Sequence, residues 1–137
     1  MANIQWDASL SVNNAEIDAQ HQKWIKIYNT LDNSLLTGTV KANEGLETLK
    51  AMLDYARFHF SFEEGYMTTI GYPDLIAHRR AHKDFDSQLF SFYQRAEKGD
   101  LVLNSEIISI LKEWLLGHIA KEDQDYARFQ GKSDQSA

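Results

Sequence analysis

Cysteine is absent from this 137-residue chain, which removes disulfides and every thiolate-held metal site. Any metal here must be bound by imidazole and carboxylate. Proline occurs once, so little interrupts long helices outside the neighbourhood of Pro73. No apolar run approaches the ~18 residues of a transmembrane helix, and the start, Met1-Ala-Asn-Ile-Gln, lacks the basic and apolar regions of a signal peptide. The chain is therefore expected to be soluble and cytoplasmic, without membrane contact. Basic residues are in the minority, 14 Lys and Arg against 20 Asp and Glu, with a net charge of -6 and a pI near 5.3. Without a basic patch, nucleic acid is not an expected partner, and Arg79-Arg80 reads as the solvated face of a helix.

What the chain has instead is helical periodicity. Its length suits a single domain over residues 1–137, with one core that covers roughly two-thirds of the unfolded surface. Apolar Ile4, Trp6, Leu10 and Val12 at mostly even spacing suggest an extended arm over 1–14 laid on the body, with Trp6 as an anchor. From Ala15 to Leu36 the positions Ile17, Trp24, Tyr28, Leu31 and Leu35 step by three or four, and Gly38 suits a cap. A second helix begins near Lys41 or Asn43 and continues through Leu46, Leu49, Met52 or Leu53, Ala56, Met67 and Ile70 to Gly71, with Gly65 in its interior. A third runs from Pro73 to about Lys98, ended by Gly99. A fourth starts behind Asn104 or Ser105 as N-cap, carries Ile107, Leu111, Trp114, Leu115 and Ile119, and reaches about Phe129. The polar tail 131–137 reads as loose. Four helices with short connections give an all-α, up-down-up-down antiparallel four-helix bundle over 15–130, with an extended N-terminal arm.

The stretch His59 to His82 holds two ligand pairs back to back. His59 and Glu63 are four apart, as are His78 and His82, so each pair shares one helix face. Gly71-Tyr72-Pro73 between them turns the chain, and the pairs face each other across a hairpin. His21 and His118 fall on the inward stripes of the first and fourth helices, so each helix supplies at least one histidine. Five neutral imidazoles in one small core are hard to satisfy by hydrogen bonding alone. Asp123 lies five residues after His118, a separation that turns a side chain ~140° on a regular helix; a shared face requires a local π-type turn, a distortion found at functional sites. Taken alone, Asp123 reads more readily as a solvated surface acid beside Glu122 and Asp125. Tyr28, Tyr55, Tyr66 and Tyr126 read as packing residues with wet hydroxyls.

Five imidazoles and two carboxylates are too many for one zinc ion, which takes four ligands. If both carboxylates bridge, the protein fills nine of the twelve positions around two octahedral ions, an oxygen bridge takes two more, and one stays open. An imidazole-rich set with an open position suits iron better than magnesium or calcium.

The chain resembles the hemerythrin family in its bacterial branch. The resemblance rests on Trp6…Leu10-Ser-Val-Asn13, Ile17-Asp18-x-x-His21, His59-x3-Glu63, His78-x3-His82 and Trp114-x3-His118-Ile119-x3-Asp123, in this order. It implies one iron held by His78, His82 and His118, a second held by His21 and His59 with the open position, and bridges from Glu63, Asp123 and an oxo or hydroxo group. It implies reversible dioxygen binding and no catalytic turnover, with Trp114, Leu115 and Ile119 lining an apolar oxygen pocket. Such domains occur as free carriers or stores and as oxygen- or redox-sensing parts of larger receptors, chemotaxis receptors among them. Two other classes remain open on the residues alone: a di-iron oxidase or peroxidase, disfavoured by the excess of imidazole over carboxylate, and a purely structural metal pair.

Overall fold

The computed structural model describes residues 3–37, 42–100 and 104–136. Its elements are α1 (Ala15–Thr37), α2 (Ala42–Ile70), α3 (Leu75–Glu97), α4 (Ser105–Gly117), a π turn (His118–Glu122) and α5 (Asp123–Ser136), preceded by a short 3-10 turn (Ala8–Leu10). All described regular structure is helical, and α4, the π turn and α5 form one continuous fourth rod. The helices α1 and α3 both pack on α2, and α4 packs on α1, as expected of the four-helix bundle. Gly38 and Lys41, assigned above to a cap and a helix start, lie outside the described residues.

Local chemistry sets the helix ends. Asn14 opens α1, its Oδ1 accepting from the Ile17 N–H at 3.1 Å, and Asn104 does the same for α4 through Ile107 at 3.1 Å, so the expected N-cap is realised. At the end of α2, Gly71 has φ 71° and the Tyr72 N–H donates back to the Met67 carbonyl at 3.0 Å. At the end of α3, Gly99 has φ 80° and the Asp100 N–H donates to the Arg95 carbonyl at 2.8 Å. Both are Schellman closures that need a residue free to adopt positive φ. Two boundaries differ from expectation. Pro73 sits in a turn and α3 begins only at Leu75, and α5 continues to Ser136, through a polar tail in which no helical periodicity was visible. Gly131 costs a nucleated helix only about 1 kcal/mol, too little to end it.

The arm is fixed by specific bonds. The Ile4 N–H donates to Asn29 Oδ1 and Asn29 Nδ2 returns the bond to the Ile4 carbonyl, both at 2.9 Å. Asp18 accepts from the Val12 N–H at 2.9 Å and from the Ser11 hydroxyl. On the other side Gln124 Nε2 donates to the Leu10 and Ser11 carbonyls, each at 3.2 Å. The 3-10 turn of the arm thereby rests against the π turn.

The core has two parts. The larger includes Trp24, Leu49, Met52, Ala56, Phe60, Phe85, Leu89, Leu111, Leu115 and Ile119; the smaller consists of Val12, Ile17, Met67, Tyr72, Tyr126 and Ala127. On every helix the candidate ligands stand at the boundary: His21 between Ile17 and Trp24, Glu63 between Phe60 and Met67, His82 before Phe85, and Asp123 between Ile119 and Tyr126. A polar layer therefore crosses the bundle with an apolar seal at each end. Gly65 is interior to α2 as expected, and a Cβ added there would meet nothing within 4 Å. Gly65→Ala should accordingly raise stability by about 0.5–1 kcal/mol, read as a higher urea midpoint at unchanged m-value.

Candidate metal centre

All seven residues singled out as ligands come together. His21, His59, Glu63 and Asp123 are 0% exposed, His118 1%, His82 2% and His78 6%. Five-residue sets of these groups offer ligand atoms within 4.8 Å of one another, and Glu63, His118 and Asp123 are common to both sets.

Every imidazole presents Nε2 to the centre, and the carboxylate oxygens divide them. Glu63 Oε1 lies 3.1 Å from His78, 2.9 Å from His82 and 3.3 Å from His118, and Asp123 Oδ1 lies 3.0 Å from His78 and 3.1 Å from His118. The opposite oxygens face the other pair: Glu63 Oε2 is 3.3 Å from His59 and 3.6 Å from His21, and Asp123 Oδ2 is 2.9 Å from His21. His118 falls within reach of both groups, yet its oxygen contacts are to Oε1 and Oδ1, which puts it with His78 and His82. Within the groups, His21 and His59 have their Nε2 atoms 3.1 Å apart, and those of His82 and His118 are 3.3 Å apart.

The π turn expected from the five-residue spacing is present over His118–Glu122, with the Asp123 N–H donating to the His118 carbonyl. It holds one extra residue in the turn, so Asp123 returns to the face that carries His118.

Outward-facing Nδ1 atoms are held by groups that the sequence alone did not identify. His59 Nδ1–H donates to Gln20 Oε1 at 2.8 Å and His82 Nδ1–H to Glu64 Oε2 at 2.9 Å, fixing the tautomers that leave Nε2 free to ligate. Both acceptors adjoin a candidate ligand in sequence, but each serves a histidine on another helix. Tyr126 corrects the expectation of a wet hydroxyl: it is 0% exposed and donates to Glu63 Oε2 at 2.9 Å. Aromatic rings wall the layer. Trp114 stacks on His118 at 4.7 Å and on Phe85 at 3.8 Å, Phe60 stacks on His82 at 3.9 Å, and Trp24 lies 5.5 Å from His59. Leu115 and Ile119 are fully buried beside them.

Electrostatics reflect this crowding. Burial alone would lower the pKa of His118, but Asp123 and Glu63 outweigh it and raise it to about 10. The same balance takes His78 to about 9 and raises His21. His59 is lowered because burial dominates. Burial would raise Glu63, yet the surrounding imidazoles, His59 and His118 foremost, hold it well below the usual carboxylate range.

The donor chemistry fits metal ions. Asp123 Oδ1 and Oδ2 are buried with no hydrogen-bond partner, facing only imidazole nitrogens, and a buried carboxylate is otherwise fully hydrogen-bonded. Two bridging carboxylates and five imidazoles can hold two ions, three imidazoles on one side and two on the other.

Comparison with known proteins agrees. Residues 12–129 match the family model described as the hemerythrin HHE cation binding domain. A bacteriohemerythrin of Stenotrophomonas maltophilia is 34% identical over 93% of this chain and 81% of its own length, and one of Methylococcus capsulatus is 29% identical over 92% and 95%. Among solved structures, wild-type hemerythrin superposes with a TM-score of 0.86 at 28% identity, covering 93% of this chain and 97% of that one.

A protonation prediction follows. Neutral imidazole is required for ligation, so filling the metal-free site at pH 7 should release the protons held by His78 and His118. Raised pKa values stabilise the metal-free fold fully below 6.5 and lose that contribution as pH rises through about 9 and 10. Alkali should thus weaken the metal-free form, with no matching loss in the loaded form. Calorimetry of metal uptake in buffers of different ionisation enthalpy measures the released protons; buffer-independent heats would contradict the assignment.

Proposed function

Because the chain belongs to the hemerythrin family, we propose that it binds dioxygen reversibly at a non-haem centre of two iron ions joined by an oxo or hydroxo bridge. The observation that carries this reading is the division of the carboxylate oxygens: Oε1 and Oδ1 with His78, His82 and His118, Oε2 and Oδ2 with His59 and His21. That split is what Glu63 and Asp123 present when each bridges two ions. It leaves the His21–His59 side with the smaller donor set, and so with the position for a small ligand.

When bound, the two ions lend dioxygen one electron each and recover them on release. The protein's part is to hold geometry and keep water out. Gln20 and Glu64 hold two of the imidazole rings from outside, and Tyr126 fixes Glu63 from the smaller core. Trp114, Leu115 and Ile119, with Trp24 and Phe60, form an apolar wall that excludes water and protons. As bridges between the ions, Glu63 and Asp123 would be held as carboxylates, and neither would be left to donate a proton to the bound ligand. This arrangement supports ligand binding over turnover, as does the excess of imidazole over carboxylate. The same site serves a carrier or store, or the oxygen-sensing domain of a larger signalling protein.

The test is anaerobic reduction of the purified protein followed by air, with visible absorption and iron content recorded together. Two irons per chain, a colourless reduced form and a charge-transfer band on air are expected. Direct oxidation without such a band, or zinc in place of iron, would overturn the reading. Ile119 supplies a second prediction: Ile119→Thr brings a hydroxyl into the apolar wall and should shorten the life of the oxygenated form, seen as faster autoxidation. An unchanged rate would remove Ile119 from the pocket.

A further inference from the structure

Of the seven ligand residues only His78 and His82 exceed 1% exposure, and each looks into a surface groove of opposite character. The groove beside His78, about 200 Å³, is walled by Asp74, Glu122 and Asp125. The groove beside His82, about 480 Å³ between α2 and α3, presents Arg57, Arg79, Arg80 and Lys83 against Glu64 and Asp86. Asp86 is taken by Arg57, at 2.7 and 3.1 Å, and Glu64 by Arg79 at 3.1 Å. Arg80 and Lys83 therefore stand without an acidic partner among the described residues, on a chain of net charge -6. The rim is apolar in part: Ile76 is 66% exposed and Phe90 38%, the latter under the Arg57 guanidinium at 5.3 Å.

We propose that the α2–α3 groove is the docking surface for an acidic one-electron carrier protein that returns the metal ions to their reduced state, an inference that rests on the function proposed above. A centre left oxidised cannot hold dioxygen again until electrons arrive from outside, and most of the ligand layer is sealed. His82 is the ligand that faces a surface of suitable charge. Its Nδ1 is bonded at 2.9 Å to Glu64, whose side chain is 27% exposed in the groove itself. In each encounter the carrier loses one electron and one ferric ion becomes ferrous. Two encounters restore the pair, and an oxo bridge takes one proton from solvent to become hydroxo. Unpaired cations with an apolar rim suit a brief, electrostatically steered contact of small footprint. The acidic walls at His78 repel the same partner.

The test uses a plant-type [2Fe–2S] ferredoxin and a flavodoxin as acidic probes, and the double variant Arg80→Glu, Lys83→Glu. Calorimetry of the oxidised, iron-loaded protein with oxidised ferredoxin reads docking without electron transfer, and anaerobic stopped-flow with the reduced carriers reads the rate. Docking should weaken with salt, and the double variant should lose at least about tenfold in both affinity and rate. Its iron content, helicity and reduction by a neutral small reductant should not change. Failure of both carriers to bind, or binding and rates indifferent to the charge reversal, would overturn the proposal. Should the probes dock and reduce the protein while no oxygenated form ever develops, the dioxygen reading fails and the docking surface stands.

Discussion

One buried carboxylate organises this molecule. Glu63 is wholly excluded from solvent, and the Nε2 atoms of all five histidines approach its oxygens at 2.9–3.6 Å. An isolated carboxylate in such a place is prohibitively costly, so every helix must bring it a partner. That requirement fixes the rotation of each helix about its own axis: α1 must turn His21 inward, α3 His78 and His82, and the fourth rod His118. Bundle packing alone leaves those rotations less constrained, because apolar stripes tolerate a range of angles.

The two-part core is the complement of this constraint. A polar layer through a bundle of this size forfeits hydrophobic contact across its whole section, and the aromatic rings restore much of it at the layer's edges. Stacked Phe60 on His82 and Trp114 on His118 put apolar faces against the imidazoles while their nitrogens remain turned to the centre. The same rings that stabilise the fold therefore also dry the site. Packing the core and walling the histidine layer are served by one set of atoms.

Much of this was legible in the sequence because it follows from periodicity. The four helices, the inward histidines and the pairs at i, i+4 all come from spacing, and even the π turn could be inferred, since a five-residue gap between His118 and Asp123 admits no other way to share a face. Less legible were relations between helices. Gln20 and Glu64 are ordinary polar residues until α2 and α3 are placed, for the rings they hold belong to His59 and His82. Tyr126 stands three residues after Asp123, and its inward direction becomes readable only after the π turn has reset the helix. The tail's helix to Ser136 was missed because polar composition signals solvation and not backbone conformation.

That reset has a consequence for how the chain tolerates change in length. Before the turn the inward positions are Leu111, Leu115 and His118; after it they are Asp123, Tyr126 and Ala127, a sequence one residue out of phase with a regular helix. Loss of any single residue between 118 and 123 would give a straighter and intrinsically more regular rod. In that rod His118 and Asp123 would stand four apart and share a face without any π turn, whereas the undeleted sequence wound as a regular helix would carry Asp123 about 100° round the axis and bring Glu122 and Asp125 toward the inner face in place of Asp123 and Tyr126. One residue thus separates a rod that needs the π turn to bring His118 and Asp123 to one face from a rod that would do so as a regular helix.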